Sequence, residues 1–138
     1  MLPNDLRSLP YLVHTNRELG LMLKGAKPLA YFLHLGDDDQ TECVVRYLRM
    51  FDRHVGVGRF LKEVHCNPVP QMPHRTMHRV FYALPGEAWR IQAMLDLVRW
   101  EGEWSDEREW EFGSLLGYED WQNQAWLDRR HSGTGLAS

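Results

Sequence analysis

Leu29-Ala30-Tyr31-Phe32-Leu33-His34-Leu35, set between Pro28 and Gly36, decides how the rest of the chain is read. Apolar side chains fall at both odd and even positions. A strand points successive side chains to opposite faces, so this run reads as a strand covered on both sides. Such a strand needs a layer on each face, and the flanking segments supply helical patterns for both.

Upstream, Thr15-Asn16-Arg17-Glu18 fits a capping box, with a hydroxyl for the third amide and a carboxylate reaching back. Leu19, Met22 and Leu23 follow at helical spacing, and Gly25 is a natural stop. Downstream, Asp37-Asp38-Asp39 is a polar loop that lacks the spacing and closing Glu of a calcium loop. Val44, Tyr47, Leu48 and Phe51 then match one face of a helix, predicted over 41–53. Residues 59–66 read as a strand, 67–73 as a Pro-rich connection and 77–84 as another strand. Pro85-Gly86-Glu87 opens a helix predicted to reach about Trp104. Glu109-Trp110-Glu111-Phe112 alternates like a half-buried strand, which Leu115 to Tyr118 either continue or turn away from. Glu119 and Asp120, with Arg129 and Arg130, bracket a final helix with charges matched to its dipole.

The resulting class is α+β: an antiparallel sheet of three to four strands packed with helices. The order β-α-β-β-α, closed by a further strand if 109–112 is one, matches the ferredoxin-like pattern, with an added N-terminal helix and a C-terminal helical segment. One domain over 1–131 and a Gly/Ser-rich flexible tail over 132–138 suit a chain of 138 residues. Strands 28–35 and 77–84 are expected side by side. Leu29, Tyr31, Leu33, Val80, Tyr82 and Leu84 would then face the helices. Phe32, His34, Arg59, Glu63, His65, Arg79 and Phe81 would share the other, open face.

That open face carries the leading functional reading, small-molecule binding. Glu63, His65 and His34 are the candidate acid–base groups. Arg59 and Arg79 would hold an anionic group, and Phe32 and Phe81 would supply apolar contact. A homodimer would close the face.

All six tryptophans lie between Trp89 and Trp126. Helical phasing puts Trp89, Trp100 and Trp104 opposite Ile91, Met94, Leu95 and Val98. They form either an aromatic ligand surface or an inner face covered by Trp110, Phe112, Leu115, Leu116, Trp121 and Trp126. The second functional reading is accordingly a non-enzymatic module that binds a protein partner through this acidic, Trp-rich region. A metal-dependent enzyme comes third, from His65, Cys66, His74 and His78. Adjacent His65 and Cys66 point to opposite faces, however, and no zincin motif is present, so no metal ligand set is assigned. No motif identifies a cofactor or a family.

Charge separates along the chain. Residues 1–85 hold 11 Lys or Arg and 8 Asp or Glu; residues 86–138 hold 5 and 11. Aromatics in acidic company argue against nucleic acid as a partner. No apolar run is long enough for a membrane span or a signal peptide. Two cysteines form no disulfide framework, so a soluble cytoplasmic protein is expected.

Overall fold

The computed structural model describes residues 9–36 and 42–132. The three-aspartate loop and Thr41 lie outside these residues, as does the tail beyond Ser132. Among the described residues, five helices and three strands follow one another: α1 (Glu18–Leu23), β1 (Leu29–Leu35), α2 (Glu42–Gly56), β2 (Leu61–Val69), β3 (Met72–Ala83), α3 (Trp89–Val98), α4 (Asp106–Leu115) and α5 (Asp120–Ser132). The fold is α+β, with an antiparallel sheet in the order β1-β3-β2.

The register explains the layering. Leu29 pairs with Ala83, Tyr31 with Phe81 and Leu33 with Arg79, while Glu63 pairs with Phe81 and His65 with Arg79. Directly opposed residues share a face. One face therefore presents Leu29, Phe81 and Ala83, which pack with Ile91, Met94, Leu95 and Leu97 of α3 and Leu115 of α4. The other presents Ala30, Val80 and Tyr82, which pack with Leu19 and Met22 of α1, Phe51 of α2, and Phe60. The sheet is thus the middle of three layers over its buried end. At the other end the strands run into solvent, and Leu33 is half exposed.

The expected open face does not exist at the buried end. The sequence reading paired β1 with β3 one residue out of step, and such a slip sends every side chain of a strand to the opposite face. Leu84 N donates to Pro28 O, so Leu84 sits opposite Pro28 and Ala83 opposite Leu29. Phe32 and His34 consequently leave the face that holds Glu63, His65, Arg79 and Phe81.

Several elements differ from expectation, α3 among them, which ends at Val98 and not near Trp104. Helix α1 starts at Glu18 because Asn16 adopts φ 67°, which breaks the capping box. Tyr47 caps the helix instead: its Oη accepts from Leu19 N at 3.1 Å and donates to Glu18 Oε1 at 2.9 Å. The Pro-rich connection is a tight hairpin, with strand pairing through Pro68 and a bulge before Val69. Pro68 is tolerated there because β2 is an edge strand.

A further difference is that residues 106–115 are helical. Ser105 caps α4 by accepting from Arg108 N, and three acids occupy the first turn. Helices α4 and α5 form an antiparallel hairpin whose ends attract: His131 meets Asp106 at 2.7 Å and Arg130 meets Glu109 at 3.5 Å. The fourth strand of the ferredoxin-like pattern is therefore replaced by this hairpin.

Helix α3 stops at Val98, so its Trp residues never form one helical face. Its aliphatic side does the burying, while Trp89 is 58% and Trp100 51% exposed. Met94→Ala is expected to destabilise the fold by about 2–5 kcal/mol through loss of buried contact and cavity formation. Trp89→Ala is expected to cost no more than about 1 kcal/mol, the worth of its exposed stacking on Arg90. Urea unfolding of both variants checks the contrast.

Candidate functional site

Of the residues singled out from sequence, Glu63, His65 and Arg79 do come together. Glu63 and His65 are two apart on β2, so they project from one face, and His65 Nε2 lies 3.0 Å from Glu63 Oε1. His65 also meets the edge of Phe81. Arg79 Nε donates to Tyr31 Oη at 3.1 Å, and the Tyr31 ring stacks on Phe81. The side chains of the Glu63–His65 pair are 50% and 30% exposed. Solvent screens an ion pair in that setting.

Phe81 adjoins this group but is fully buried in the core. The remaining candidates are dispersed. Phe32 packs among Tyr47, Phe51 and Tyr82 in the opposite layer. His34 stacks on His78 on that same face, where Cys66 Sγ lies 3.2 Å from His78 Nδ1. Arg59 falls before β2 and meets His54. Trp100 lies on Arg108, and Trp104 donates to Glu109 and meets the edge of Phe112. Among the described residues, no three His, Cys, Asp or Glu are grouped to hold a metal ion.

A half-open cavity lies away from the sheet. It measures about 260 Å³ and opens between the N-terminal segment and the α4–α5 hairpin. Tyr11, Val13 and Thr15 form one wall. Phe112, Gly113 and Leu116 come from α4 and its end, Tyr118 from the turn, and Asn123 and Trp126 from α5. Glu109 supplies a carboxylate, and Trp126 Nε1 donates to its Oε1 at 2.8 Å. Burial raises the Tyr11 hydroxyl to about 12 and also pushes Tyr118 up, so both stay protonated phenols.

Close packing fixes these walls. A Cβ on Gly113 would collide with the amide of Asn123, so the absence of a side chain at residue 113 makes room for that amide. Asn123 is buried and donates from Nδ2 to Ser114 Oγ at 2.9 Å. Gly117 has φ 98°, and a Cβ there would stand 2.6 Å from Pro28 Cδ. The α4–α5 turn thereby rests against the residue that leads into β1.

Lys27 locks the remaining wall. It is 2% exposed; its Nζ donates to Leu116 O at 2.6 Å and lies 2.9 Å from His14 Nδ1. His14 stacks on Tyr118 at 3.8 Å between ring centres, and its backbone N–H donates to Tyr118 Oη at 2.8 Å. Burial lowers Lys27 from 10.5 to about 7, against a raising pull from Glu18. Burial, then the charges of Lys27 and Arg17, lowers His14 to about 3. His14 is therefore neutral at pH 7 and can accept from the amine.

Sequence reasoning missed this site because its parts lie in four separate stretches and Lys27 carries no periodic signal. One available signal was Tyr11, an aromatic residue near the chain start without a helix or strand of its own.

Comparison with known family models, with curated proteins and with solved structures finds no match.

The buried amine gives a pH signature. Between about pH 7 and 10.5 the unfolded chain binds the Lys27 proton and the folded chain does not, so stability rises with pH across that window. Below pH 7 both states are protonated and the burial penalty is fully present. The denaturation midpoint is expected to rise from about pH 7 to about pH 9 in the native chain and much less in Lys27→Met. Equal rises in both would show that the ammonium is not desolvated.

Proposed function

We propose that this protein binds a small, largely apolar molecule in the cavity between its N-terminal segment and the α4–α5 hairpin. One observation carries the reading: about 260 Å³ of space walled mainly by aromatic and aliphatic side chains, with a few polar groups among them. Ligand sites have this composition, and the volume lies just below the range typical of drug-sized ligands, so a compact molecule is expected. The pair Glu63–His65 is not part of these walls, so the reading is one of binding. We place the protein in the cytoplasm, in keeping with two exposed, unbridged cysteines, Cys43 and Cys66. Among the described residues no helix is long and apolar enough to cross a membrane.

A second reading has its own observation. Trp89, Trp100 and Trp121 are each more than half exposed, and large exposed aromatics are enriched where protein partners bind. Two of the three already lie against Arg90 and Arg108, and Trp121 Nε1 donates to Glu119. These contacts occupy the rings within the chain, which favours the cavity.

Thr15 lines the cavity yet is exposed, so a bulky side chain there can fill the space from outside without entering the core. Fluorinated neutral aromatic fragments are expected to bind the native chain, as read by fluorine NMR line broadening. Thr15→Trp is expected to abolish that binding while keeping the melting temperature. Fragments that bind both proteins equally would place the site elsewhere.

A further inference from the structure

We infer that the molecule held in this cavity is a small organic ammonium, its cationic head against the Glu109 carboxylate and its body against the aromatic walls. The inference rests on the binding reading above and narrows it to one chemical class.

The charges of the walls point this way. Among the described residues that line the cavity, Glu109 alone is formally charged; the other polar groups are the hydroxyls of Tyr11, Thr15 and Tyr118, the amide of Asn123 and the indole N–H of Trp126. An anion entering here would meet a like charge, and none of the described lining residues is a cation that would hold it. A wholly apolar ligand would strip water from the carboxylate and return nothing, leaving it only the indole N–H groups and the distant Arg130. A cation adds the close partner that both alternatives lack.

Glu109 retains capacity for such a partner. Its Oε1 accepts from Trp126 Nε1, and its Oε2 accepts from Trp104 Nε1. Indole N–H groups fix the carboxylate in place without cancelling its charge. Arg130 approaches Oε2 at 3.5 Å with its own side chain 40% exposed. The Glu109 side chain is 20% exposed, and at that distance the pair offsets only part of its charge. A carboxylate offers about four lone-pair positions, so one remains open to a ligand.

The rings do the rest. Tyr11, Phe112, Tyr118 and Trp126 border the same space. Aromatic faces carry the negative part of a quadrupole and attract alkylammonium groups, more strongly once both are withdrawn from water. Lys27 stands behind Leu116 and Tyr118 with its Nζ directed to His14 and Leu116 O, so its proton is not presented to the cavity.

The experiment compares benzyltrimethylammonium with neopentylbenzene, the neutral molecule of nearly the same shape in which carbon replaces nitrogen. Affinities are read from tryptophan fluorescence and confirmed by calorimetry on the full chain. The ammonium is expected to bind at least about tenfold more tightly, in line with a desolvated cation–aromatic contact joined to a carboxylate. Glu109→Gln is expected to remove most of that preference while neutral fragments still bind. Tyr11→Leu, which changes one ring and leaves the carboxylate, is expected to reduce the preference several-fold and serves if Glu109→Gln fails to fold. Equal affinities for the two probes would overturn the ammonium inference and leave the binding reading intact. Failure of both probes and of the neutral fragments would overturn the two together.

Discussion

The pairing of Leu29 with Ala83 is the constraint from which the other packing follows. It sends Leu29, Phe81 and Ala83 toward α3 and α4, and Ala30, Val80 and Tyr82 toward α1 and α2. A strand filled on both faces cannot shift by one residue without exchanging two sets of contacts of different size: Leu29 for Ala30 on one strand and Phe81 for Tyr82 on the next. Tyr82 adds a polar lock to the register. Its ring is fully buried, yet its hydroxyl donates to Asp52 Oδ1 at 2.7 Å, an oxygen that Lys62 also meets at 2.7 Å. On the opposite face that hydroxyl would lose its acceptor, and a buried unpaired hydroxyl is costly.

A second constraint joins the N-terminal segment to the C-terminal hairpin. Lys27 follows Gly25 and Ala26 out of α1, so its amine is delivered into the seam between Leu116 and His14. Burying an ammonium there is expensive, and that cost is what depresses the proton affinity of Lys27; it is nearly fully present at neutral pH and is relieved as pH rises toward 10.5. The seam is also where Tyr118 receives His14 on its face, Tyr11 at its edge, and the His14 amide at its hydroxyl. A cavity at this place follows from the mismatch of shapes. Rings and one lysine brace the rim, and Gly113 makes room for the Asn123 amide.

Much of the architecture was readable from local pattern. The run from Leu29 to Leu35, the helical spacing of Val44 to Phe51 and the strand ending near Leu84 each signal themselves within a few residues. The relative phase of β1 and β3 did not, because it depends on the loops and helices that deliver the strands, and one residue of error exchanged the faces of Phe32 and His34. Residues 109–112 misled for a different reason: four alternating positions also occur by chance in a helix with mixed faces. The better signal was Ser105 followed by Asp106, Glu107 and Glu109, a cap with acids in the first turn. Glu63, His65 and Arg79 were placed together correctly because β2 and β3 form a hairpin, whose short turn fixes phase. The cavity was not legible, since it joins Tyr11 to Trp126 across the whole chain.

The concentration of acid and of tryptophan in the same stretch turns out to be one feature. Trp104 and Trp126 both donate to Glu109, and Trp121 donates to Glu119. An indole N–H needs an acceptor wherever the ring is partly withdrawn from water, and a carboxylate is the strongest one available. Two of the acids here thus serve as acceptors for indole N–H groups, which satisfies the rings without neutralising the carboxylates. At Glu119 that charge faces solvent and dissipates. At Glu109, whose side chain is only 20% exposed, the same arrangement lies beside the cavity, and the two indoles hold the carboxylate in place there.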